Sequence, residues 1–170
     1  MINELKEKYF NLNNIKIYAK EIGEGPLVIM VHGWPESWYS WRHQLKPIAD
    51  LGYKVLAIDV RGYGQSSKPY EVEHYDMLSL VGDIINIINA EDKENAILIG
   101  HDWGAPICWT AAALHPEKIR AVIGLSVPHA RRGDVSNSEL WRKIYKDNFF
   151  YQTYFEKEGV AEEELERDIG

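Results

Sequence analysis

Short apolar runs alternate with amphipathic stretches along this chain. Residues 27–31, 54–58, 96–99 and 121–125 are runs dominated by Leu, Val, Ile and Ala with almost no polar interruption. Runs of that length without period-two alternation read as strands buried on both faces. Between them lie helical patterns. Trp38, Trp41 and Leu45 sit in a helical stretch after the first run, and Val81, Ile84, Ile85 and Ile88 repeat at i, i+3, i+4, i+7 between Asp76 and Asn89. Asp76 is the expected N-cap of that second helix. A third helix is expected to follow the run at 96–99 and to end near His115-Pro116. Upstream, residues 9–22 form two alternating pieces joined by Asn11-Leu12-Asn13-Asn14, which predicts an antiparallel hairpin at a sheet edge. Gly23-Glu24-Gly25-Pro26 then breaks the pattern. Buried strands alternating with helices imply an α/β fold with a mostly parallel sheet and right-handed crossovers. In such a sheet the ligand site lies at the carboxyl ends of the strands.

The pattern changes after Pro128. Residues 129–170 contain no buried-strand run and read as helical, charged and aromatic. Leu140, Trp141, Ile144 and Tyr145 are expected to form one apolar face, ahead of Phe149-Phe150-Tyr151-Gln152-Thr153-Tyr154-Phe155. The sequence therefore divides into an α/β core over 1–128 and the beginning of a helical lid over 129–170. The acidic stretch Glu162-Glu163-Glu164-Leu165-Glu166 reads as a solvated helix face.

Composition narrows the partners. A hydrophobic share of 45% and a charged share of 26% are those of an ordinary globular protein. The formal net charge of −7 lacks the clustered Lys and Arg that nucleic-acid binding needs. No apolar run is long enough to cross a bilayer, and residues 1–10 are charged where a signal peptide would be apolar, so a cytoplasmic protein is expected. Cys108, the single cysteine, excludes an internal disulfide and reads as a buried thiol in a helix. No metal-ligand spacing or phosphate-binding loop is visible, so no cofactor and no metal are expected.

The chemistry concentrates where the run at 96–99 turns into the next helix, at Gly100-His101-Asp102-Trp103-Gly104. This has the form of a nucleophile elbow, with glycines flanking a residue on a sharp strand-to-helix turn. Gly and Asp are also common turn residues, so the motif gains its meaning from its position. Asp102 occupies the reactive place instead of Ser. A carboxylate is already ionised at neutral pH and suits attack on an electrophilic saturated carbon, which leaves an alkyl ester on the protein. Breaking that ester passes through an oxyanion, which needs two backbone N–H donors. Trp103, after the nucleophile, and Trp34, in His32-Gly33-Trp34-Pro35 after the strand at 27–31, are the candidates for this oxyanion hole. His32, Gly33, Pro35, His101 and Tyr154 are the candidate pocket residues. His101, adjacent to the nucleophile, is badly placed to act as its base.

Three segments, His32-Gly33-Trp34-Pro35-Glu36-Ser37-Trp38-Tyr39-Ser40-Trp41-Arg42, Asp59-Val60-Arg61-Gly62-Tyr63-Gly64-Gln65-Ser66-Ser67 and the elbow, resemble the α/β-hydrolase superfamily, specifically its soluble epoxide hydrolase branch. The resemblance runs from about residue 25 into the lid, where Tyr151-Gln152-Thr153-Tyr154-Phe155 and Glu158-Gly159-Val160-Ala161-Glu162 take part. It implies that Asp102 opens an oxirane to a glycol monoester. It also implies that Tyr151 is one of two lid tyrosines that hydrogen-bond the epoxide oxygen as it becomes an alkoxide, with Tyr154 as the neighbouring competitor. Asp59, Arg61 and Tyr63 are expected to buttress the site. The implied substrate is a small apolar epoxide, hydrolysed to a diol.

The same resemblance implies a His that activates water, an acid that orients it, a second tyrosine and two further core strands, all after the lid. None is found before Gly170, and the last histidine is His129. Asp134 is a possible acid with no histidine after it. The expectation is therefore an epoxide hydrolase-like chain that alkylates Asp102 and then stalls. Two alternatives stay open: a haloalkane or haloacid dehalogenase using the same aspartyl ester, with the Trp103 indole holding halide, and a non-catalytic remnant that binds a small apolar ligand or partner. A serine esterase is disfavoured because no Ser occupies the elbow.

Overall fold

A computed structural model describes residues 4–12, 14–131 and 133–168. Within it the chain divides at His129 and Ala130 into two compact units. The first holds six strands: β1 (Lys6–Leu12), β2 (Ile15–Ile22), β3 (Leu27–Val31), β4 (Lys54–Ile58), β5 (Ala96–His101) and β6 (Ile119–Leu125). Three α-helices accompany them: α1 (Leu45–Asp50), α2 (Met77–Ala90) and α3 (Gly104–Leu114). The sheet order is β1-β2-β4-β3-β5-β6. β1 and β2 pair antiparallel, β2 joins β4 antiparallel, and β3, β4, β5 and β6 are parallel to one another. The mostly parallel sheet with an antiparallel edge hairpin is the architecture that the hydrophobic pattern predicts.

Element boundaries shift where pairing outweighs local turn propensity. The hairpin is tighter than its Asn-rich sequence indicates, because Asn11 and Leu12 remain in the ladder and Leu12 pairs with Ile15. Asn14 takes the left-handed conformation at φ 70°, which asparagine tolerates, while Asn13 lies outside the described residues. β1 starts at Lys6, whose backbone pairs with Glu21. The stretch around Trp38 is a 3₁₀ turn over Trp38–Trp41, and α1 follows it as a separate helix. β6 begins at Ile119, two positions before its apolar run, and is not buried on both faces as that run predicts: it stands at the end of the strand order, and only Ile119 is buried while Ile123 and Leu125 are exposed.

Every residue of β3 is buried, and β4 is buried from Val55 onward, as strands covered on both faces require. On one face Ile29, Val31 and Leu98 pack with Ile84, Ile87 and Ile88 of α2 and with Ile107, Cys108 and Ala111 of α3. On the other, Val28, Met30, Val55 and Ile99 pack with Trp41 and Leu45. Asp76 caps α2 by accepting the Ser79 amide at 2.6 Å, which also holds its carboxyl below the usual carboxylate range. Cys108 is buried, and desolvation pushes its thiol pKa far up, so this sulfur is an inert core atom.

Inside α2 the apolar stripe is interrupted by buried Asp83. Its carboxylate receives Arg61 in bidentate fashion, Nε to Oδ2 at 3.0 Å and Nη2 to Oδ1 at 2.7 Å. Arg61 also donates through Nη1 to the His74 carbonyl at 2.6 Å. One guanidinium therefore ties the loop after β4 to the start of α2.

The second unit contains α4 (Asn137–Tyr145), α5 (Tyr151–Tyr154) and α6 (Val160–Glu166). Ser136 and Glu139 form a capping box at the start of α4. The expected apolar face of α4 is split. Trp141 and Tyr145 pack with Phe150, the Tyr145 and Phe150 rings stacking at 4.1 Å, whereas Leu140 and Ile144 stay exposed. Residues 141 and 145 form one i, i+4 stripe and 140 and 144 the adjacent one, so a single small aromatic cluster covers only the first. The acidic face of α6 is exposed except for Ala161. Among the described residues no helix is long and apolar enough to cross a membrane.

The buried Arg61–Asp83 pair yields a stability prediction. Asp83→Ala strands a guanidinium charge in the interior and is expected to cost about 3–5 kcal/mol. Replacing both partners with apolar residues of similar size costs less, because no charge is then left uncompensated. Urea denaturation of the single and double variants measures the difference.

Candidate active site

At the carboxyl end of β5 the chain turns through Asp102, whose φ of 50° is left-handed. A non-glycine residue accepts such a conformation only where its surroundings hold it there. The holding contacts are visible. The Asp102 amide lies 3.3 Å from both the Leu125 carbonyl and Ser126 Oγ, and its carbonyl accepts the Ala105 amide at 3.0 Å. The two flanking glycines are required by space. A Cβ on Gly100 would stand 2.4 Å from the Gly104 carbonyl oxygen, and one on Gly104 would stand 2.0 Å from that of Val31. The elbow is thus a place where β5, α3 and the end of β3 approach more closely than side chains permit.

The loop after β3 meets this turn directly. The Trp34 amide donates to Asp102 Oδ1 at 2.9 Å. Gly33 allows the approach, since a Cβ there would fall 2.4 Å from the same oxygen. Oδ2 of Asp102 accepts no hydrogen bond among the described residues. The Trp103 amide, at the N-cap of α3, lies too early for an intrahelical acceptor and also has no partner among the described residues. The Trp34–Pro35 peptide is cis.

His32 supports the loop from beneath. It is 1% exposed, and its two ring nitrogens have different partners: the Val60 amide donates to Nε2 at 3.0 Å, and Nδ1 faces the Gly33 carbonyl at 2.8 Å. Nε2 must therefore carry the lone pair and Nδ1 the proton, which fixes a neutral tautomer. Burial keeps the His32 pKa below its ordinary value despite the nearby Asp59 and Glu36 carboxylates. Asp59, equally buried, accepts the Trp38 amide at 2.8 Å and the Gln65 amide at 2.9 Å, joining the loops after β3 and β4.

Glu36, which sequence reasoning passed over, completes the clamp. Its Oε2 accepts the Gly33 amide at 3.0 Å, and its carboxylate meets His101 Nδ1 at 3.1 Å. One carboxylate thus links the residue before Trp34 to the residue before Asp102. The sequence signal was the placement of an acid three residues after a loop glycine, a capping geometry, but nothing local points to a partner 65 residues away.

A cavity of about 370 Å³ lies beside this assembly, lined by His32, Gly33, Tyr63, Leu80, Trp103 and Ile107 among others. His32, Gly33, Trp34, Asp102 and Trp103 are therefore brought together. His101, expected in the same pocket, instead borders a second cavity with Glu36, Ser40, Trp41 and Leu125. The reason is the turn itself, which sends consecutive side chains to opposite sides. Pro35 does not line the first cavity. Tyr151 and Tyr154 belong to the second unit. Gln152 Nε2 donates to the Tyr151 hydroxyl oxygen at 3.1 Å, and the Tyr154 hydroxyl donates to the Glu164 carboxylate, which raises the Tyr154 pKa. Of the histidines after Asp102, His115 faces Glu117 and the His129 ring meets Trp109 edge-on. Among the described residues no group of three or more His, Cys, Asp or Glu is placed to hold a metal ion.

The family model described as alpha/beta hydrolase fold matches residues 26–162. This chain belongs to the α/β-hydrolase fold family. Within that family it is similar to epoxide hydrolase A of Mycobacterium tuberculosis, 43% identical over 164 residues that cover 95% of this chain and 51% of that protein. It is also similar to bifunctional epoxide hydrolase 2 of Rattus norvegicus, 41% identical over 98% of this chain and 30% of that protein. An epoxide hydrolase from an endophytic Streptomyces superposes with a TM-score of 0.94 at 45% identity, covering 98% of this chain and 50% of that one. One from Vigna radiata also gives 0.94, at 38% identity, over 99% and 53%. The chain spans about half the length, or less, of these relatives.

His32 makes stability pH-dependent with a defined sign. Its folded pKa lies below the ordinary 6.5, so on acidification the unfolded chain takes up the proton first. The contribution of this group is full above about pH 6.5 and is lost as pH falls from there through the folded-state value. The unfolding free energy from urea titrations should decline over that interval, and the decline should be shallower in His32→Gln. Equal slopes would remove His32 from this role.

Proposed function

We propose that this α/β-hydrolase chain performs the alkylation step of an epoxide hydrolase. Asp102 Oδ2 attacks an oxirane carbon, the carbon–oxygen bond of the ring breaks, and its electron pair leaves on the substrate oxygen as an alkoxide. The alkoxide takes a proton, for which Tyr151 is the donor implied by the resemblance; a phenolic hydroxyl is a stronger acid than the alcohol formed and can supply it. The product is a glycol monoester of Asp102.

The observation that carries this reading is the asymmetry of the Asp102 carboxylate. Oδ1 is held by the Trp34 amide at 2.9 Å while Oδ2 has no acceptor role among the described residues. Attack through Oδ2 leaves Oδ1 as the ester carbonyl. Addition of water to that ester would then place negative charge on an oxygen already seated on one amide, with the Trp103 amide as second donor. A donor pre-positioned for that charge favours the tetrahedral state over the ester, which is the requirement for catalysis. His115 faces Glu117 and the His129 ring packs against Trp109, with no hydrogen bond from either to Asp102 among the described residues, so neither is assigned the hydrolytic step.

The similarity of this chain to proteins named epoxide hydrolases supports the choice of substrate. A small apolar epoxide fits the largely apolar cavity next to Asp102. A single, buried cysteine, which rules out an internal disulfide in this sequence, supports a cytoplasmic setting.

Incubation with excess styrene oxide followed by intact-mass spectrometry tests the proposal. The expected result is one added epoxide mass, mapped to the peptide containing Asp102 and absent in Asp102→Asn. An adduct that persists in Asp102→Asn, or no adduct in the unmodified chain, overturns it. Halide release from a haloalkane without any reaction with epoxide would move the substrate to the dehalogenase class.

A further inference from the structure

Around the 370 Å³ cavity nearly every polar side-chain group is already engaged. Both nitrogens of His32 are used. The Arg61 guanidinium is taken up by Asp83 and the His74 carbonyl. The Tyr75 hydroxyl donates to the Pro69 carbonyl at 2.6 Å. The remaining wall is apolar, from Met77, Leu80 and Ile107. Two donors have no hydrogen-bond partner among the described residues: the Trp103 indole N–H, on a side chain that is 47% exposed, and the half-buried Tyr63 hydroxyl.

Tyr63 is held in place by its neighbours. Its ring meets His32 edge-on with centroids 5.0 Å apart, and its amide donates to the Val60 carbonyl at 2.9 Å. Burial, and after it the charge of Asp102, raises its pKa, so it is a protonated donor at neutral pH. A half-buried hydroxyl with no protein partner is left to bond whatever enters the cavity, and a ligand oxygen that accepts its hydrogen bond takes the place of water there.

We infer that this cavity is the subsite for the arm of the epoxide, and that Tyr63 selects an apolar arm carrying one hydrogen-bond acceptor. The inference rests on the alkylation reading above. Gly33 and Trp103 border both the cavity and the nucleophile, so an oxirane placed for attack by Asp102 directs its substituent along Tyr63 toward Leu80 and Ile107. A cavity of about 150 Å³ accommodates benzene. One of about 370 Å³ therefore has room for an aromatic ring with a short linker.

The test compares phenoxymethyl oxirane with its carbon isostere phenylethyl oxirane, which differ by an ether oxygen against a methylene group. Alkylation of Asp102 is followed by intact mass in the unmodified chain and in Tyr63→Phe, which keeps the ring and removes only the hydroxyl. The ether-to-hydrocarbon rate ratio is expected to fall roughly five- to tenfold in Tyr63→Phe, the size of one buried hydrogen bond. The ratio within each protein cancels any general loss of folded protein, and comparing the two ratios cancels the intrinsic reactivity of the two epoxides. An unchanged ratio, with adducts still dependent on Asp102, overturns the arm subsite and leaves the alkylation reading intact. Absence of any Asp102-dependent adduct overturns both.

Discussion

The hydrogen bond from the Trp34 amide to Asp102 Oδ1 is the contact on which the site depends, because it joins two turns distant in sequence. It exists only where two strand ends and a helix start come closer than ordinary side chains allow. Gly33, Gly100 and Gly104 each lack a Cβ at a point where one would sit 2.4 Å or less from a neighbouring oxygen. Holding Asp102 at φ 50° costs on the order of 1–3 kcal/mol. A hydrogen bond to a charged acceptor returns about 1.5–3 kcal/mol, so this contact is comparable to the strain it helps maintain. The rest of the restraint comes from the parallel pairing of β3 with β5, which fixes Val31 opposite Gly100 and so places both loops at one end of the sheet.

Around that contact polar side chains, Asp59 and Arg61 buried and Glu36 partly so, fix the loops. Asp59 joins the loop after β3 to the loop after β4, Glu36 joins the β3 loop to the elbow, and Arg61 joins the β4 loop to α2. Each carboxylate receives two separate elements, so each loop is held by at least two hydrogen bonds outside itself. Loops would otherwise be the most mobile parts of an α/β unit. The role proposed for Asp102 needs its carboxylate and the Trp34 amide fixed within a fraction of an ångström, and these clamps provide that restraint.

The sheet and helices were legible in the sequence because strands such as β3 and β4, buried on both faces, produce runs that few other structures produce; the run of β6 looked the same although that strand is largely exposed at the sheet edge. The elbow was legible for a related reason: Gly-His-Asp-Trp-Gly follows such a run, and the glycines mark a steric need. What stayed hidden was long-range pairing. Nothing near Asp83 announces Arg61, and nothing near Glu36 announces His101, since side chains separated by 22 and 65 positions meet only after the strands are aligned. The side to which His101 points was also hidden, because a left-handed residue beside it breaks the alternation that a strand would impose. On α4, two adjacent i, i+4 stripes are equally apolar in sequence, and only the position of Phe150 decides which one packs.

The same arrangement sets the electrostatics around Asp102. Two potentially cationic side chains border the cavity beside Asp102, and neither presents a free positive charge. His32 is neutral by burial and by the lone pair that receives the Val60 amide, and the Arg61 charge is matched by Asp83. A free cation against Oδ2 would stabilise the ionised carboxylate before reaction more than the ester after it, because esterification removes the negative charge. The barrier to attack would rise accordingly. An amide donates only a partial charge, enough to orient Oδ1 without suppressing Oδ2. Keeping cations neutral or paired at this end of the sheet is therefore as necessary for the role proposed for Asp102 as the elbow that presents it.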